Sequence, residues 1–318
     1  KTIAIVALGV AAVLAFSMSG SSNLAESQFR DYMDVYRKGY GTTEEYSYRL
    51  GVFEDNLKRI AELNERSTTA TFAVNEFADQ TPEEMQKRMG LILPANKQNQ
   101  VIRHRAPVNG QSKDWTDMWS SVKNQGQCGS CWAFSATAAF EARHSLAHGG
   151  SKADTLFAEQ ELVDCDPKSE GCNGGFMDYA FEYLQSHGFC TESAYPYHAR
   201  DETCHDSDCK SGPTDKAFTD FDAGDEDGML KEFVNGPVSV AVDASTWSFY
   251  SGGVMKASDC GTSLNHGVTL VETDFEASTP FAKIRNSWGS GWGESGYIRL
   301  SIGEDTCGYA DVSSYPTF

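Results

Sequence analysis

Several features are scarce in this 318-residue chain, and each absence excludes something. No Asn-X-Ser/Thr sequence occurs, so sorting through N-linked glycans is not supported. Positive charge is scarce in the second part, because residues 106–318 hold 13 of the 26 Lys/Arg but 32 of the 45 Asp/Glu. A surface this acidic argues against nucleic-acid or anionic-membrane binding. It suits a protein that works at low pH, where part of the charge is neutralised.

The one long apolar run lies at the start of the chain and is too short to span a bilayer. Lys1 precedes an apolar run over about residues 2–16, whereas a spanning helix needs ~20 such residues. With the small residues that follow, it predicts a signal peptide over residues 1–22 rather than a membrane anchor. Cysteine is absent before Cys128, which is the first of nine. On a secretory route eight would pair as disulfides, leaving one thiol.

The segment from residue 23 to about 105 has helical character. Within it a long pattern places six side chains along one side of a helix, since they are 4, 4, 3, 4 and 4 residues apart: Glu45, Arg49, Phe53, Asn56, Ile60 and Asn64. Residues 91–113 are rich in Pro, Asn, Gln and Lys/Arg without an apolar period, which is a linker composition. A helical segment followed by a linker is therefore expected.

Beyond the linker, helix-like stretches precede strand-like ones. Residues 132–147 and 176–188 have helical composition and spacing, whereas residues 237–244, 266–274 and 296–302 are rich in β-branched residues. This order predicts an α+β protein with a helical lobe followed by a sheet lobe.

The sequence CGSCW contains a C-x-x-C pair, Cys128 and Cys131, that is open to three interpretations. A zinc site needs four ligands, and Cys204 and Cys209 are the next nearest pair, but structural zinc does not suit a disulfide-permissive chain. A redox dithiol follows a strand, whereas the preceding residues are polar. In the third interpretation, Cys131 is a nucleophile at the first position of a helix, with Ser130 as the helix cap. At that position the helix dipole favours the thiolate.

A nucleophilic thiol needs a base and a group that orients the base. His266 begins a strand-like segment and Asn286 lies in the sequence RNSWG. Each residue alone is weak evidence for a catalytic site, because a single histidine or an asparagine in a turn is common in any protein. Together with Cys131 they favour the nucleophile interpretation.

These residues resemble the papain and cathepsin family. Its signature C-G-[SA]-C-[WY] has His and Asn roughly 130–150 residues downstream, and here His266 and Asn286 follow Cys131 by 135 and 155 residues. The resemblance continues through QELVDC, GCNGG, AYPY, NHGV, RNSWGSGWGESGYIRL and SYPTF, over nearly all of residues 114–318. It implies a papain-like two-lobed fold, with a helical lobe and a β-barrel-like lobe on either side of an active-site cleft.

The first segment resembles the propeptide of cathepsin L-type precursors. The six side chains of the helical pattern match its ERFNIN motif, and AVNEFAD is similar to its GxNxFxD motif, with Ala73 at the usual glycine. The resemblance implies a mainly helical inhibitory propeptide over residues 23–105 that runs backwards through the cleft. Residues 106–318 would be the mature peptidase, with maturation near residues 104–106.

The resemblance also implies the catalytic roles. Cys131 would be the nucleophile and His266 the base, paired as thiolate and imidazolium, with Asn286 orienting the imidazole and Trp288 shielding it. The side-chain amide of Gln125 and the backbone N–H of Cys131 would stabilise the oxyanion.

The substrate cleft is assigned in the same way. Gly174 and Gly175 would pair with the backbone of an extended substrate. An apolar pocket for the residue two before the scissile bond, suited to Leu or Phe and not to Arg because no acid lies at its base, maps onto Phe176, Met177, Ala241, Leu264, Gly267 and Val312.

The family pattern implies three disulfides, Cys128–Cys172, Cys165–Cys204 and Cys260–Cys307, and leaves Cys190 and Cys209 as a fourth pair. The partners expected are protein or peptide substrates, the chain's own propeptide as an intramolecular inhibitor, and cystatin-type inhibitors. We expect a monomer without a cofactor, metal, nucleic acid or membrane partner.

Two functions are therefore compared. The first is a cysteine endopeptidase made as a zymogen, in a lysosome- or vacuole-like acidic compartment or outside the cell. The alternative is a catalytically silent homologue that acts as a binding or inhibitor protein. The presence of Cys131, His266 and Gln125 favours the enzyme.

Overall fold

The computed structural model describes residues 21–98, 108–209 and 211–318. Nearly all of the predicted signal peptide, and the predicted maturation site, lie outside these residues. The helices of the described residues are α1 (Ser21–Tyr36), α2 (Thr43–Arg66), α3 (Pro82–Gln86), α4 (Cys131–Ala147), α5 (Glu159–Cys165), α6 (Met177–Leu184) and α7 (Glu226–Phe233). None of them is long and apolar enough to cross a membrane.

The strands form one mixed sheet. They are β1 (Ala70–Phe72), β2 (Lys113–Asp114), β3 (Ala217–Asp220), β4 (Val238–Val242), β5 (Tyr250–Met255), β6 (His266–Asp274), β7 (Phe281–Arg285), β8 (Tyr297–Ser301) and β9 (Ser313–Thr317). Their order is β1-β5-β8-β7-β6-β4-β9-β3, with β2 beside β6. All neighbours are antiparallel except β5 and β8. The predicted sheet lobe is present, and the propeptide adds its edge strand β1.

Helix α2 carries the predicted six-residue pattern and holds the next part of the chain. The Asn56 side chain donates to the backbone carbonyls of Ala78 and Gln80, at 3.0 and 2.8 Å. The side chain of Asn64 pairs with both backbone groups of Phe72, at 2.8 and 2.9 Å. These amides satisfy backbone groups at the end of β1 and in the turn that follows it, so the face of α2 fixes the path of the chain beyond the helix.

Aromatic rings fill the space between α1 and α2. Phe53 of α2 is 1% exposed, and its ring centroid lies 5.3 Å from that of Phe29 and 5.1 Å from that of Tyr32. Tyr40 and Tyr46 surround Phe29 on its other sides. These rings belong to a buried cluster that continues into the sheet lobe and includes Trp288.

Helix α4 is the centre of the helical lobe. Every residue from Cys131 to Arg143 is buried, because α4 packs against α5 and α6 on one side and against β6 and β9 on the other. A helix buried on all faces has no polar stripe, as its Ala-rich sequence indicates. This burial places the first turn of α4 at the junction of the two lobes.

Four disulfides occur among the described residues: Cys128–Cys172, Cys165–Cys204, Cys190–Cys209 and Cys260–Cys307. These are the pairs that the resemblance implies. Cys131 is the remaining thiol. The two cysteines of the C-x-x-C therefore do not pair with each other.

Replacing Phe53 by Ala should destabilise the propeptide, because it removes the ring that contacts both Phe29 and Tyr32. We expect a loss of about 3–5 kcal/mol in the free energy of unfolding, measured by urea denaturation of a precursor that also carries Cys131→Ala. Val35→Ala is the control, since Val35 is 70% exposed and should change stability by less than about 0.5 kcal/mol. Equal effects of the two substitutions would contradict the proposed packing.

Candidate active site

Cys131 is the first residue of α4, and its thiol is fully buried. The sulfur accepts hydrogen bonds from the backbone N–H of Gly90, at 3.3 Å, and of Gly267, at 3.4 Å. Gly267 follows His266 in β6, so the strand brings the histidine beside the thiol. Ser130 is not the side-chain cap that the sequence predicted. Its hydroxyl instead lies 2.6 Å from the Tyr197 hydroxyl.

His266, the first residue of β6, and Asn286, which directly follows β7, form a buried pair. Nε2 of His266 lies 2.8 Å from Oδ1 of Asn286, and the same oxygen accepts from the backbone N–H of Ser287, at 2.8 Å. The backbone donor fixes which end of the amide faces the ring, so Nε2 carries the proton. Nδ1 then keeps its lone pair and has no hydrogen-bond partner among the described residues. It is the ring nitrogen available to a thiol.

Aromatic side chains enclose the histidine. The ring centroid of Trp288 lies 5.0 Å from that of His266, and Trp288 is fully buried. On its other side, Phe77 of the propeptide meets Trp288 edge to face, with centroids 6.0 Å apart. Water is therefore excluded from the His266–Asn286 hydrogen bond, partly by the propeptide itself.

Both reactive groups are neutral in this form of the protein. Burial raises the pKa of the Cys131 thiol to about 11, although the N–H groups of Gly267 and Gly90 lower it. Burial also lowers the pKa of His266 to about 4, against the opposing effects of Asn286 and the Arg88 backbone. The sequence predicted a thiolate stabilised by the start of α4 and paired with imidazolium. In the precursor, loss of water outweighs the helix dipole, so no ion pair forms near neutral pH.

The side-chain amide of Gln125 points at the same site. Its Nε2 donates to the backbone carbonyls of Arg88 and Cys128, both at 2.8 Å. Its Oε1 accepts from the hydroxyl of Ser287, at 2.6 Å, which fixes the orientation of the amide. A donor held in this way can stabilise a negatively charged oxygen.

The propeptide backbone crosses the cleft at the two predicted glycines. Gly175 N–H donates to the carbonyl of Gly90, and Ile92 N–H donates to the carbonyl of Gly175, both at 2.9 Å. Gly174 does not pair with the propeptide, but a Cβ there would lie 2.9 Å from the oxygen of Gly90. A Cβ on Gly90 would lie 1.7 Å from the Gly129 carbonyl oxygen. Only glycine allows this close approach.

The predicted apolar pocket is assembled from both lobes. Phe176, Met177, Ala241 and Val312 belong to one buried cluster, and Leu264 packs against it. A Cβ on Gly267 would lie 3.1 Å from the Met177 sulfur, so this glycine is also at the pocket. Leu91 and Leu93 of the propeptide pack against the same cluster. An acid that the sequence analysis did not consider, Asp178, follows Met177 directly.

Sequence reasoning missed two groups of contacts. Residues 91–113 were interpreted as a linker, but residues 91–93 lie in the cleft; the alternating Leu-Ile-Leu was the available signal. Tyr197 was quoted only as part of a motif, yet its hydroxyl donates to the backbone carbonyl of Gln125, at 2.9 Å. No local pattern indicates that contact, because the two residues are distant in the sequence.

Comparison with known families assigns both parts of the chain. Residues 109–317 match the papain family of cysteine proteases, and residues 29–85 match the cathepsin propeptide inhibitor domain. Cathepsin L 2 of Paramecium tetraurelia is 41% identical over 290 residues, which are 88% of this chain and 89% of that protein. Cathepsin L of Sarcophaga peregrina is 37% identical over 325 residues, covering 93% of this chain and 94% of that one.

Comparison with solved structures leads to the same family. Digestive procathepsin L 3 from the larval midgut of Tenebrio molitor superimposes with a TM-score of 0.80 at 36% identity, covering 93% of this chain and 99% of that one. A recombinant stem bromelain precursor superimposes with a TM-score of 0.80 at 32% identity, covering 93% and 99%. The papain-like fold and the helical propeptide are thereby confirmed. The chain belongs to the papain family of cysteine proteases and is a cathepsin L-like precursor that carries its own inhibitory propeptide.

Proposed function

We propose that this precursor matures into an endopeptidase that hydrolyses peptide bonds through a thioester on Cys131. The observation that carries the proposal is the convergence of four groups at the start of α4. The Cys131 thiol and the Gln125 amide contact neighbouring propeptide residues, Gly90 and Arg88. The His266–Asn286 pair adjoins Gly267, whose N–H donates to the same sulfur. A nucleophile, an oriented base and an oxyanion donor are what acyl transfer requires.

The chemistry follows from the positions of these groups. Once water enters the site, the Cys131 proton moves to Nδ1 of His266, whose other nitrogen is held by Asn286. The thiolate attacks the substrate carbonyl carbon, and Gln125 Nε2 and the Cys131 N–H stabilise the oxyanion. His266 then protonates the leaving amine. Water, deprotonated by His266, hydrolyses the thioester and regenerates the thiol.

The propeptide blocks this chemistry without being cut. At Gly175 it runs parallel to the enzyme strand, which agrees with the reversed direction implied by the resemblance. The group nearest the sulfur is therefore an N–H, that of Gly90. The Arg88 carbonyl accepts from Gln125 instead. The oxyanion donor is occupied while the nucleophile has no carbonyl carbon to attack.

Specificity should be set by the apolar pocket. Its walls are Phe176, Met177, Ala241, Leu264, Gly267 and Val312, and leucines of the propeptide pack against the buried cluster to which four of these walls belong. Burial of a leucine or phenylalanine side chain stabilises binding by about 1.5–3 kcal/mol. We infer a preference for Leu or Phe two residues before the scissile bond.

Residues 23–105 would be removed and residues 106–318 retained, with the cut near residues 104–106. The two family matches end and begin at residues 85 and 109, which agrees with a cut between them. Four disulfides support passage through an oxidising secretory route. We therefore propose an acidic lysosome- or vacuole-like compartment or the extracellular space, with a monomeric enzyme and cystatin-type proteins as external inhibitors.

Activation is proposed to be autocatalytic and promoted by acid. The Arg49 guanidinium donates to both oxygens of Glu84, at 2.7 and 2.8 Å, and to the backbone carbonyl of Asp79, at 2.9 Å. The Arg49 hydrogen bond lowers the pKa of Glu84. A lowered pKa stabilises the fold above the ordinary glutamate range, and this contribution is lost progressively as the pH falls from that range through the lowered pKa.

Glu84→Gln should release the propeptide at higher pH than wild type. Because the ion pair is partly exposed, we expect a loss of about 1 kcal/mol at neutral pH and faster maturation between pH 5 and 6, followed by gel electrophoresis. The two proteins should converge only where the pH has fallen below the lowered pKa of Glu84, since Glu84 is then protonated in wild type. Glu62→Gln removes an exposed carboxylate of α2 and is the control. An unchanged pH dependence would contradict the role of Glu84.

The buried thiol should be almost unreactive in the precursor. Since its pKa is about 11, iodoacetamide at pH 7 should modify Cys131 at least about 100-fold more slowly than in the matured enzyme, because only the thiolate reacts. Mass spectrometry of the peptide containing Cys131 measures the rate. Precursor unfolded without reductant is the control, and there Cys131 should react readily. Similar rates in folded precursor and matured enzyme would exclude protection by the propeptide.

Peptidase activity separates the enzyme from a silent homologue. Acid-treated wild type should hydrolyse a fluorogenic peptide with Leu or Phe two residues before the cut, and Cys131→Ala should lose essentially all of this activity. A matched peptide with Arg at that position should be cleaved more slowly. Absence of activity after proven removal of the propeptide would favour the binding-protein alternative. Maturation of purified Cys131→Ala precursor at pH 4–5 would disprove autocatalysis.

A further inference from the structure

Two carboxylates meet beside the apolar pocket, and no catalytic step uses them. Asp178, the second residue of α6, is 5% exposed, and its Oδ1 accepts from the hydroxyl of Ser314, at 2.6 Å. Asp220, the last residue of β3, lies opposite Ser314 in the sheet. Burial, and then the charge of Asp220, raise the pKa of Asp178 to about 7. Two acids this close favour a cation between them.

A cation from the propeptide occupies this position. Nζ of Lys97 lies 3.0 Å from Asp220 Oδ1 and 4.0 Å from Asp178 Oδ2. The Lys97 side chain is only 11% exposed, whereas lysines in ordinary surface ion pairs stay largely in water. The buried Lys97 ammonium therefore indicates, independently of the acids themselves, that the two carboxylates bind a cation.

The carboxylates adjoin the substrate pocket in the chain and in space. Asp178 directly follows Met177, a wall of the pocket, and Ser314 lies two residues after Val312, another wall. Lys97 belongs to the same propeptide segment as Leu91 and Leu93, which pack against the buried cluster that contains walls of that pocket. When this segment leaves the cleft, the space that the Lys97 side chain occupied becomes accessible to a ligand that binds along the cleft.

We propose that Asp178 and Asp220 form a cation subsite of the mature enzyme that binds the basic side chain of an extended peptide. The subsite lies beyond the apolar pocket, on the side of the cleft that binds residues before the scissile bond. In the precursor Lys97 fills it. The proposal rests on the proposed peptidase function, and it adds a second, charged element of specificity to the apolar one.

The first test uses matured enzyme and matched internally quenched peptides. All carry Leu two residues before the cut, and lysine replaces glutamine at the third, fourth or fifth residue before it. One lysine position should raise kcat/KM about tenfold, mainly through a lower KM, as expected for one charge-assisted contact. Asp220→Asn should reduce this gain to less than about twofold while the peptide without lysine is cleaved as before.

The controls separate the subsite from general effects. Asp222→Asn removes an exposed carboxylate two residues further on and should keep the gain. Asp178→Asn should reduce it, as Asp220→Asn does. The proposal is overturned if no lysine position increases kcat/KM, or if the gain survives in both Asp178→Asn and Asp220→Asn. In one further peptide lysine replaces the Leu two residues before the cut, and a gain confined to that peptide would assign the acids to the apolar pocket and overturn the proposal.

The full-length precursor provides a second measurement that needs no activity. With Cys131→Ala in place, Lys97→Gln and Asp220→Asn should each lower the urea midpoint for propeptide release, and the double variant should lower it by no more than either alone. If the two substitutions lowered the urea midpoint additively, Lys97 and Asp220 would not interact, and the proposed cation site would be overturned. If the two substitutions have non-additive effects in the precursor but the matured enzyme shows no preference for lysine in substrates, the acids bind only the propeptide. That result would overturn the proposed substrate subsite. Lack of activity on every peptide, with coupling intact, would instead indicate failure of the proposed peptidase function.

Discussion

Removal of the Cys131 thiol from water is the constraint on which the inhibited state depends. A thiolate and an imidazolium are stable as a pair only where water or preorganised dipoles solvate them. In the precursor the chain around Gly90 covers the sulfur, and the one N–H that Gly90 donates does not offset the loss of water, so thiol and imidazole are both neutral. The contact uses backbone atoms, and the absence of a side chain at Gly90 is what allows the chain to approach the loop before Cys131 so closely. Inhibition is therefore encoded in the path of the propeptide chain.

The rest of the propeptide holds that path in place. The asparagines of α2 bind the segment that leads towards the cleft, and β1 continues the sheet of the enzyme by pairing with β5. Beyond the cleft, Lys97 provides a further attachment at Asp178 and Asp220. Anchors on both sides of Gly90 keep an extended segment in a conformation that it would not hold alone. A change in pH acts on the charged anchors, whereas the apolar and backbone contacts are insensitive to it.

Much of the fold and the reactive groups could be predicted from the sequence, because their signals are local. The period of α2, the Ala-rich run of α4 and the β-branched residues of β4 and β6 reflect burial of one face or of the whole element. The resemblance supplied Gln125, His266 and Asn286, and the same pairs of cysteines are joined in the structure. The resemblance implied that the propeptide crosses the cleft, but which residues do so was missed, since the Leu-Ile-Leu of residues 91–93 is too short to show a periodicity. The contact between Tyr197 and Gln125 was missed because the two residues are distant in the sequence.

The sequence by itself determined the chemical groups and their places in local structure: a cysteine at the start of a helix, a histidine at the start of a strand, and a propeptide helix with one binding face. Only the tertiary structure decided their protonation states. The helix dipole that favours a thiolate is a local property of α4, but the solvent around the thiol depends on a propeptide segment far away in the sequence. Desolvation of a buried charge is the larger effect, so the packing of Gly90 reverses the preference set by the helix. The same holds for Asp178 and Asp220, whose common cation became visible only when the chain brought Lys97 between them.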